Sequence, residues 1–397
     1  MNNIVLGVTG GIAAYKVVQV ASNLTQIDYN IDVVMTESAK EFVTPLTFRT
    51  ITRNPVESDL FSPPQNFEVK HISLAKKADL FLIAPATANF ISKIASGIAD
   101  DLLSTLILAT RAPVLIAPAM NVNMYNNSII QDNINYLKEK GFKFIIPESG
   151  YLACGDTGKG RLPDPPLLTE AVISELTPNI LEGKKVLVTA GPTREPLDPV
   201  RYISNYSSGK MGYALAKAAF NAGGEVTLVS GPVSINSPFG VKTQKVETAR
   251  EMAKKINDIS SNYDIIIMAA AVADFRPHTK NKRKIKKEKF EKSLNLTSNP
   301  DILKKLGKNK NNDQILIGFA AETSNLIQNA EKKLKEKNLD MIIANDISKS
   351  EIGFGSESNE VTIIDKYQKE KIRKMDKQKL AELIIKKIYD NLLKEEK

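Results

Sequence analysis

The amino-acid sequence predicts an α/β protein of two doubly wound, mainly parallel-sheet, Rossmann-like domains. Three observations carry this: short unbroken apolar runs alternate with amphipathic stretches, the alternation breaks once near residue 180, and it then restarts. A chain of 397 residues is also too long for one ordinary core and suits two domains of roughly 150–200 residues each.

In the first half the apolar runs lie at 3–8, 31–35, 79–84, 113–117 and 142–146. They lack polar alternation, as strands buried on both faces do. Helical patterns separate them at 12–26, 88–109 and 123–140. Repeated βα units imply a parallel sheet, and right-handed crossovers gather the loops after its strands along one edge. LPDPPLL (162–168), a short helical stretch and TPNILEGKK (177–185) mark the break, so domains are expected at 1–180 and 181–397. KKVLVTAGPT then restarts the pattern with a strand and a turn. On the next helix Met211, Ala214, Leu215, Ala218, Ala219 and Ala222 share one face. Strands are expected at EVTLVSG, 263–271, 314–320 and 339–344, followed by a hairpin in NEVTIIDKYQKEKIR. Leu380, Leu383, Ile384, Ile388 and Leu392 stripe a final helix. No internal repeat aligns the two halves.

A 42% hydrophobic and 25% charged composition is that of a globular protein. No apolar run approaches the ~18–20 residues of a membrane-spanning helix. MNNIVLGVTGG reads as a first strand and lacks the basic region of a signal peptide. The single cysteine, Cys154, forms no internal disulfide and suits a reducing compartment, so a cytoplasmic location is expected. The net charge of +9 is concentrated in KNKRKIKKEK (280–289) and the C-terminal segment. RNA-recognition signatures are absent, and cationic sites for small phosphates use such charge equally well. Neither a nucleic-acid nor a membrane partner is expected.

VTGGIAAYK places Gly10 and Gly11 between the first strand and helix, where backbone approaches a phosphate and helix N–H groups are free. The motif is not GxGxxG, and no acidic residue follows at the ribose-reading distance, which excludes the usual dinucleotide dehydrogenase pattern. APATANFISKIASGIADDLLSTLILA, PAMNVNMY and GYLACGDTGKGR each follow a predicted strand, so they converge on the same edge. They are rich in small and neutral polar residues.

These strings resemble the flavin-dependent cysteine decarboxylases, in particular the phosphopantothenoylcysteine decarboxylases, over nearly all of residues 1–170. PATAN matches the family's PASAN-type flavin loop, PAMNVNMY its PXMNXXMW motif and ACGD its substrate flap. Tyr125 stands where the family usually has tryptophan and keeps an aromatic face. The resemblance implies a flavodoxin-like domain holding FMN, partly through a neighbouring subunit of a trimer. It carries flavin contacts onto Gly10, Gly11, Thr36, Ser38, Pro85, Ala86, Thr87, Ala88, Asn89, Asp101 and Met120. It makes His71 the base assisting thiol oxidation, Asn121 the binder of the substrate carboxylate and Cys154 the proton donor. The chemistry explains the flavin: losing CO₂ from a cysteine α-carbon leaves a carbanion with no electron sink. Oxidation of CH₂–SH to a thioaldehyde places the carboxylate β to C=S, and the protein orients and gates. Alone, His71 and Cys154 would read as structural residues. The conjunction of HIS, PAMN and ACGD reverses that, and Met120 suits packing and ligand contact equally.

In the second half TAGPTREPLDPVRYISNYSSGKMG joins a strand to a helix through a long insertion. SSGKMG offers hydroxyls, glycine backbone and a lysine to a phosphate but lacks the P-loop spacing of kinases and ATPases. AAAVADFRP, SNPDIL, GFAAET and KKLKEKNLDMIIAND follow. The set resembles the phosphopantothenate–cysteine ligases over residues 183–397, and both halves together resemble the bifunctional bacterial enzymes of coenzyme A biosynthesis. The resemblance implies CTP-dependent activation of 4′-phosphopantothenate as an acyl-cytidylate, with Mg²⁺, and displacement of CMP by the cysteine amine. Decarboxylation to 4′-phosphopantetheine follows. By the same resemblance Asn205 promotes breakdown of the acyl-cytidylate and Lys284, in the KIKK strap of Lys284, Ile285, Lys286 and Lys287, helps form it. Ala270, Ala271, Val272 and Asp274 hold the cytidine. Pro300, Asp301, Ile302, Leu303, Phe319, Lys333 and Lys337 complete the nucleotide site, although both lysines also read as ordinary surface residues. Lys210 serves as phosphate contact or helix start alike, and no metal ligands are indicated. A homo-oligomer is implied, with trimeric decarboxylase and dimeric ligase domains that a dodecamer would combine. Two rivals are a non-catalytic flavin-binding regulatory protein, which should lack one of His71, Asn121 or Cys154, and an RNA-binding protein with salt-steep affinity.

Overall fold

The computed structural model describes residues 2–60, 70–151, 155–286, 293–322, 324–346 and 355–393, and the side chains of Lys70 and His71 lie outside that description. Residues Met1–Thr177 and Pro178–Lys397 form two compact units.

The first unit holds β1 (Asn3–Val8), β2 (Asn30–Met35), β3 (Val56–Glu57), β4 (Leu80–Ala86), β5 (Val114–Pro118) and β6 (Lys143–Phe144). They form one sheet in the order β3-β2-β1-β4-β5-β6, every pair parallel. Ile4, Leu6, Val33, Leu82 and Ile116 are fully buried, which is why these strands read as unbroken Val/Ile/Leu runs. Without the two-residue β3 the order is the flavodoxin-like one, whose direction reverses between β1 and β4.

Two expected helices are corrected. The 88–109 pattern splits into Ala88–Ala95 and Leu102–Ala109, because Asp101 caps the second helix by accepting the Ser104 N–H at 2.8 Å. The 123–140 pattern splits into Val122–Asn126 and Ser128–Glu139, where Asn127 accepts the Ile129 N–H at 3.0 Å. The strand expected at 142–146 is reduced to β6. An antiparallel hairpin follows that periodicity did not indicate, β7 (Glu148–Tyr151) and β8 (Thr157–Arg161). Helix Pro165–Leu176 then opens on two prolines, whose missing N–H groups cost nothing at that position.

In the second unit come β9 (Lys185–Ala190), β10 (Arg194–Pro196), β11 (Tyr202–Ser204), β12 (Glu225–Ser230), β13 (Lys242–Lys245), β14 (Ile265–Met268), β15 (Phe275–Pro277), β16 (Leu296–Ser298), β17 (Ile315–Glu322), β18 (Met341–Asp346), β19 (Ser358–Asp365) and β20 (Lys369–Asp376). The main sheet runs β13-β12-β9-β14-β17-β18-β19-β20. It is parallel as far as β18, and the hairpin β19–β20 closes it antiparallel. Helices Lys210–Asn221 and Lys377–Ile388 pack on one face, burying Leu215, Ala218, Leu380 and Ile384 with Val188 and Leu228. The strand expected over 263–271 ends at Met268, so residues 269–274 leave the sheet at its carboxyl edge. β10–β11 and β15–β16 form two small hairpins.

Candidate active sites

In the first unit, strands β1, β2, β4 and β5 deliver their exit loops to one cavity of about 750 Å³. Gly10 and Gly11 open it after β1. A Cβ on Gly10 would stand 2.3 Å from that of Ser38, so only glycine lets the β1 and β2 loops close together here. Thr36, Ser38, Thr87, Ala88, Asn89, Asp101, Met120 and Asn121 also line the cavity. Pro85 and Ala86 do not; both are buried in β4 behind it.

The join at the switch point is made by Thr9, a residue the sequence reading passed over. Its Oγ1 donates to the Pro85 carbonyl at 2.7 Å and accepts the Thr87 N–H at 3.1 Å, tying the glycine loop to the PATAN loop. Thr87 in turn caps its helix by accepting the Phe90 N–H at 3.3 Å. Thr36 Oγ1 is buried at the cavity and has no hydrogen-bond partner among the described residues.

Asn121 is held at both ends of its amide. Oδ1 accepts the Asn123 N–H at 2.8 Å, and Nδ2 donates to Asp156 Oδ2 at 2.8 Å. Capping therefore fixes the amide with its NH₂ end away from the helix, on Asp156. Met120 N–H donates to the Gly160 carbonyl at 3.0 Å, joining PAMN to β8. Tyr125 is buried, which pushes its phenol above the usual range against a smaller opposing contact from Gln131, and Lys159 Nζ sits 5.7 Å over its ring. His71 falls in helix Lys70–Lys77, whereas Cys154 lies outside the described residues.

The second unit builds a cavity of about 480 Å³ at the carboxyl edge of its sheet. Asn205, Lys210, Ala270, Ala271, Val272 and Asp274 line it, as do Pro300, Asp301, Ile302, Leu303, Phe319, Lys333 and Lys337. The loop after β14 is pinned along TAGPT: Ala270 N–H donates to Thr189 Oγ1 at 3.1 Å and Ala273 N–H to Thr193 Oγ1 at 3.0 Å. Asn205 Nδ2 donates to the Ala271 carbonyl at 2.8 Å. Gly209, at φ 82°, starts helix Lys210–Asn221 in the left-handed region that glycine enters without strain.

Lys333 and Lys337 share a helix face but hold different acids, Glu322 at 2.5 Å and Asp301 at 3.0 Å. Asp301 caps helix Ile302–Asn309 through the Lys304 N–H at 2.9 Å. Burial pushes its carboxyl up, but that N–H and the Lys337 ammonium outweigh it, so its pKa lies below the usual value. Lys284 does not line the cavity. It is exposed on a segment anchored next door, where Ile285 N–H donates to Asp198 at 3.1 Å and Arg201 to the Ile285 carbonyl at 3.3 Å. Lys377 and Asn345 also line the cavity and were not read from the sequence; Asn345 Oδ1 is buried without a partner among the described residues. Also among the described residues, no three His, Cys, Asp or Glu side chains group to hold a metal.

Comparison with known proteins gives a concordant picture. Residues 1–177 match the Flavoprotein family and residues 181–392 the DNA/pantothenate metabolism flavoprotein C-terminal domain. The coenzyme A biosynthesis bifunctional protein CoaBC of Bacillus subtilis (strain 168) is 49% identical over 365 residues, 91% of this chain and 90% of that protein. Its namesake from Borreliella burgdorferi is 46% identical over 390 residues, 98% and 99% of the two chains. A crystal structure of the C-terminal domain of a coenzyme A biosynthesis bifunctional protein CoaBC covers 54% of this chain and 98% of its own, at 44% identity and a TM-score of 0.47.

Proposed function

The chain belongs to the family of coenzyme A biosynthesis bifunctional proteins, and from that premise we propose two consecutive reactions on it. Residues 181–397 join cysteine to 4′-phosphopantothenate at the expense of CTP, through an acyl-cytidylate. Residues 1–180 then decarboxylate phosphopantothenoylcysteine to 4′-phosphopantetheine with FMN. The observation that carries this is identity of 49% over 365 residues, a length that spans both units and 90% of the relative. A purely regulatory flavin-binding role is not favoured by it.

The first cavity fits a flavin phosphate. Gly10 lets the β1 and β2 exit loops close together at the cavity, and Thr36 Oγ1 offers a buried hydroxyl for an added acceptor or donor. Bound FMN supplies the two-electron step that gives the carboxylate an electron sink. Asn121 presents its NH₂ end to the substrate carboxylate, His71 takes the thiol proton, and Cys154 returns a proton to the enethiolate carbon. Gly10, Gly11, Thr36, Ser38, Thr87, Ala88, Asn89, Asp101 and Met120 hold the cofactor, with Pro85 and Ala86 shaping the loop behind.

In the second cavity Ala270, Ala271, Val272 and Asp274 take the cytidine, and Phe319, Lys333 and Lys337 enclose the nucleotide with residues 300–303. Lys210 contacts a phosphate. Lys284 closes over the triphosphate as the carboxylate attacks, and Asn205 orients the acyl-cytidylate for the incoming amine. Mg²⁺ enters with CTP, held largely by phosphate oxygens, as is usual for this ion.

Among the described residues no helix is long and apolar enough to cross a membrane, and we place the enzyme in the cytoplasm as a homo-oligomer of trimeric decarboxylase and dimeric ligase contacts, combined in a dodecamer. The test incubates the protein with 4′-phosphopantothenate, cysteine, CTP and Mg²⁺ and follows pyrophosphate and CO₂. Both are expected; pyrophosphate without CO₂, or neither, overturns the assignment of the corresponding half.

A further inference from the structure

One corner of the second cavity sets beside Lys210 a second lysine that the roles above do not use. Lys377 opens helix Lys377–Ile388 and is only 8% exposed. Its Nζ donates to the Ser356 carbonyl at 2.5 Å. Lys210, first in its own helix, donates to the Gly355 carbonyl at 3.1 Å and pairs with Glu357. Both lysines line the cavity. Helix Lys210–Asn221 has no side-chain cap, so its leading N–H groups add positive potential.

Among the described residues this arrangement sets two ammonium groups against acids that lie largely in water. A buried ammonium is costly, a lysine in the first turn opposes the helix dipole, and a second lysine adds repulsion. Burial first, then Lys210, lowers the pKa of Lys377, while Glu357 and Asp376 act against the shift. The Glu357 side chain is 78% exposed and screened by water, and the other acceptors among the described residues are neutral carbonyls. An aliphatic chain of similar length would fill the same space without these costs, so packing alone gives no reason for the charge.

We propose that Lys377 and Lys210 form a subsite for a phosphate group of a ligase substrate, with Lys377 a specificity-determining residue; this rests on the ligase reading above. Phosphate oxygens accept more strongly from ammonium groups than carbonyls do, and a dianion relieves the mutual repulsion of the two lysines. The phosphate has two sources, the monoester of 4′-phosphopantothenate and the triphosphate of CTP.

The experiment compares full-length wild type, Lys377→Met and Lys377→Arg by pyrophosphate release, varying each substrate in turn. Lys377→Met is expected to raise KM by about 10- to 100-fold for the substrate whose phosphate binds here, the other KM staying constant, and so to name the source. Lys377→Arg should recover most of the loss. Without ligand the Met variant should melt no lower than wild type, yet lose the rise in Tm that inorganic phosphate gives wild type. A Met variant that still decarboxylates supplied phosphopantothenoylcysteine, with both KM values unchanged, overturns the proposal. So does a lower Tm with the phosphate-induced rise retained, which marks a structural lysine. Wild type releasing no pyrophosphate overturns the ligase reading itself.

Discussion

The two units solve the same problem with the same joint and different linings. In each, a threonine at the end of the central strand grips the loop leaving the neighbouring strand: Thr9 holds the loop after β4, and Thr189 the loop after β14. Both joints sit where the strand order reverses, the place in such sheets where ligands bind. Around that joint the first unit sets Thr9, Gly10, Gly11, Thr87 and Asn89, with the Lys93–Asp101 pair, whereas the second gathers Lys210, Lys333, Lys337 and Lys377. Location thus follows from topology, and ligand class from the loops.

If the sites are chemically separate, damage to one should leave the other intact. The largest expected effect is Cys154→Ser, because a serine hydroxyl is far less acidic than a thiol of pKa ~8.5. Final product should vanish while CO₂ is released for one turnover and an enethiol accumulates, seen by mass spectrometry; normal 4′-phosphopantetheine formation would remove Cys154 from the mechanism. Next, Lys284→Gln should slow ligation by ~10²–10³, as expected for loss of one preorganised electrostatic contact. Acyl-cytidylate should be scarce in that variant and abundant in Asn205→Asp. Equal levels in quenched reactions refute their division of labour, and lost decarboxylation in either refutes independence.

Gly10→Ala sharpens the comparison from the other side. Its Cβ would force the β1 and β2 loops apart, so the purified protein should lose flavin absorbance and keep ligase activity. Retained FMN at wild-type occupancy would show that the close contact with Ser38 is dispensable. Smaller effects are expected from the joints. Thr9→Val strands the Thr87 N–H and Thr189→Val the Ala270 N–H, each costing about 1–3 kcal/mol. Hydrogen exchange should quicken at Thr87 in the first variant only and at Ala270 in the second only.

The smallest effect concerns pH. Asp301 has a folded pKa below its reference value of 3.8, so its stabilising contribution is present above that value and is lost as pH falls through the folded pKa. Asp301→Asn should therefore lower Tm slightly at neutral pH, and the gap to wild type should close below about pH 4. A gap independent of pH would assign Asp301 a purely neutral capping role.

Much of the fold was legible because strands buried on both faces write themselves as Val/Ile runs, β1 and β18 being clear cases. The helices near 88–109 and 123–140 were read as continuous because periodicity does not register a cap; Asp101 and Asn127 are short polar residues that end one helix pattern and begin another. The hairpin β7–β8, rich in glycine, has no alternation to announce it. Of the candidate site residues, those in loops after strands meet in the cavities, since topology alone brings them there. Thr9 and Thr189 stood inside quoted motifs, but a hydroxyl that ties two loops together looks in sequence like any other threonine. Lys377 was hidden for another reason: nothing in MDKQKLAEL distinguishes a buried lysine from the solvated ones around it.

The hairpin that closes the second sheet leaves β20 as its outermost strand, with Lys369, Lys371, Arg373 and Lys374 exposed. At the opposite border, β13 exposes Lys242 and Lys245. Any second molecule trying to extend this sheet by backbone pairing would have to lay lysine beside lysine. Edge lysines of this kind disfavour pairing along unsatisfied strand borders in concentrated protein, a colloidal consequence independent of either reaction.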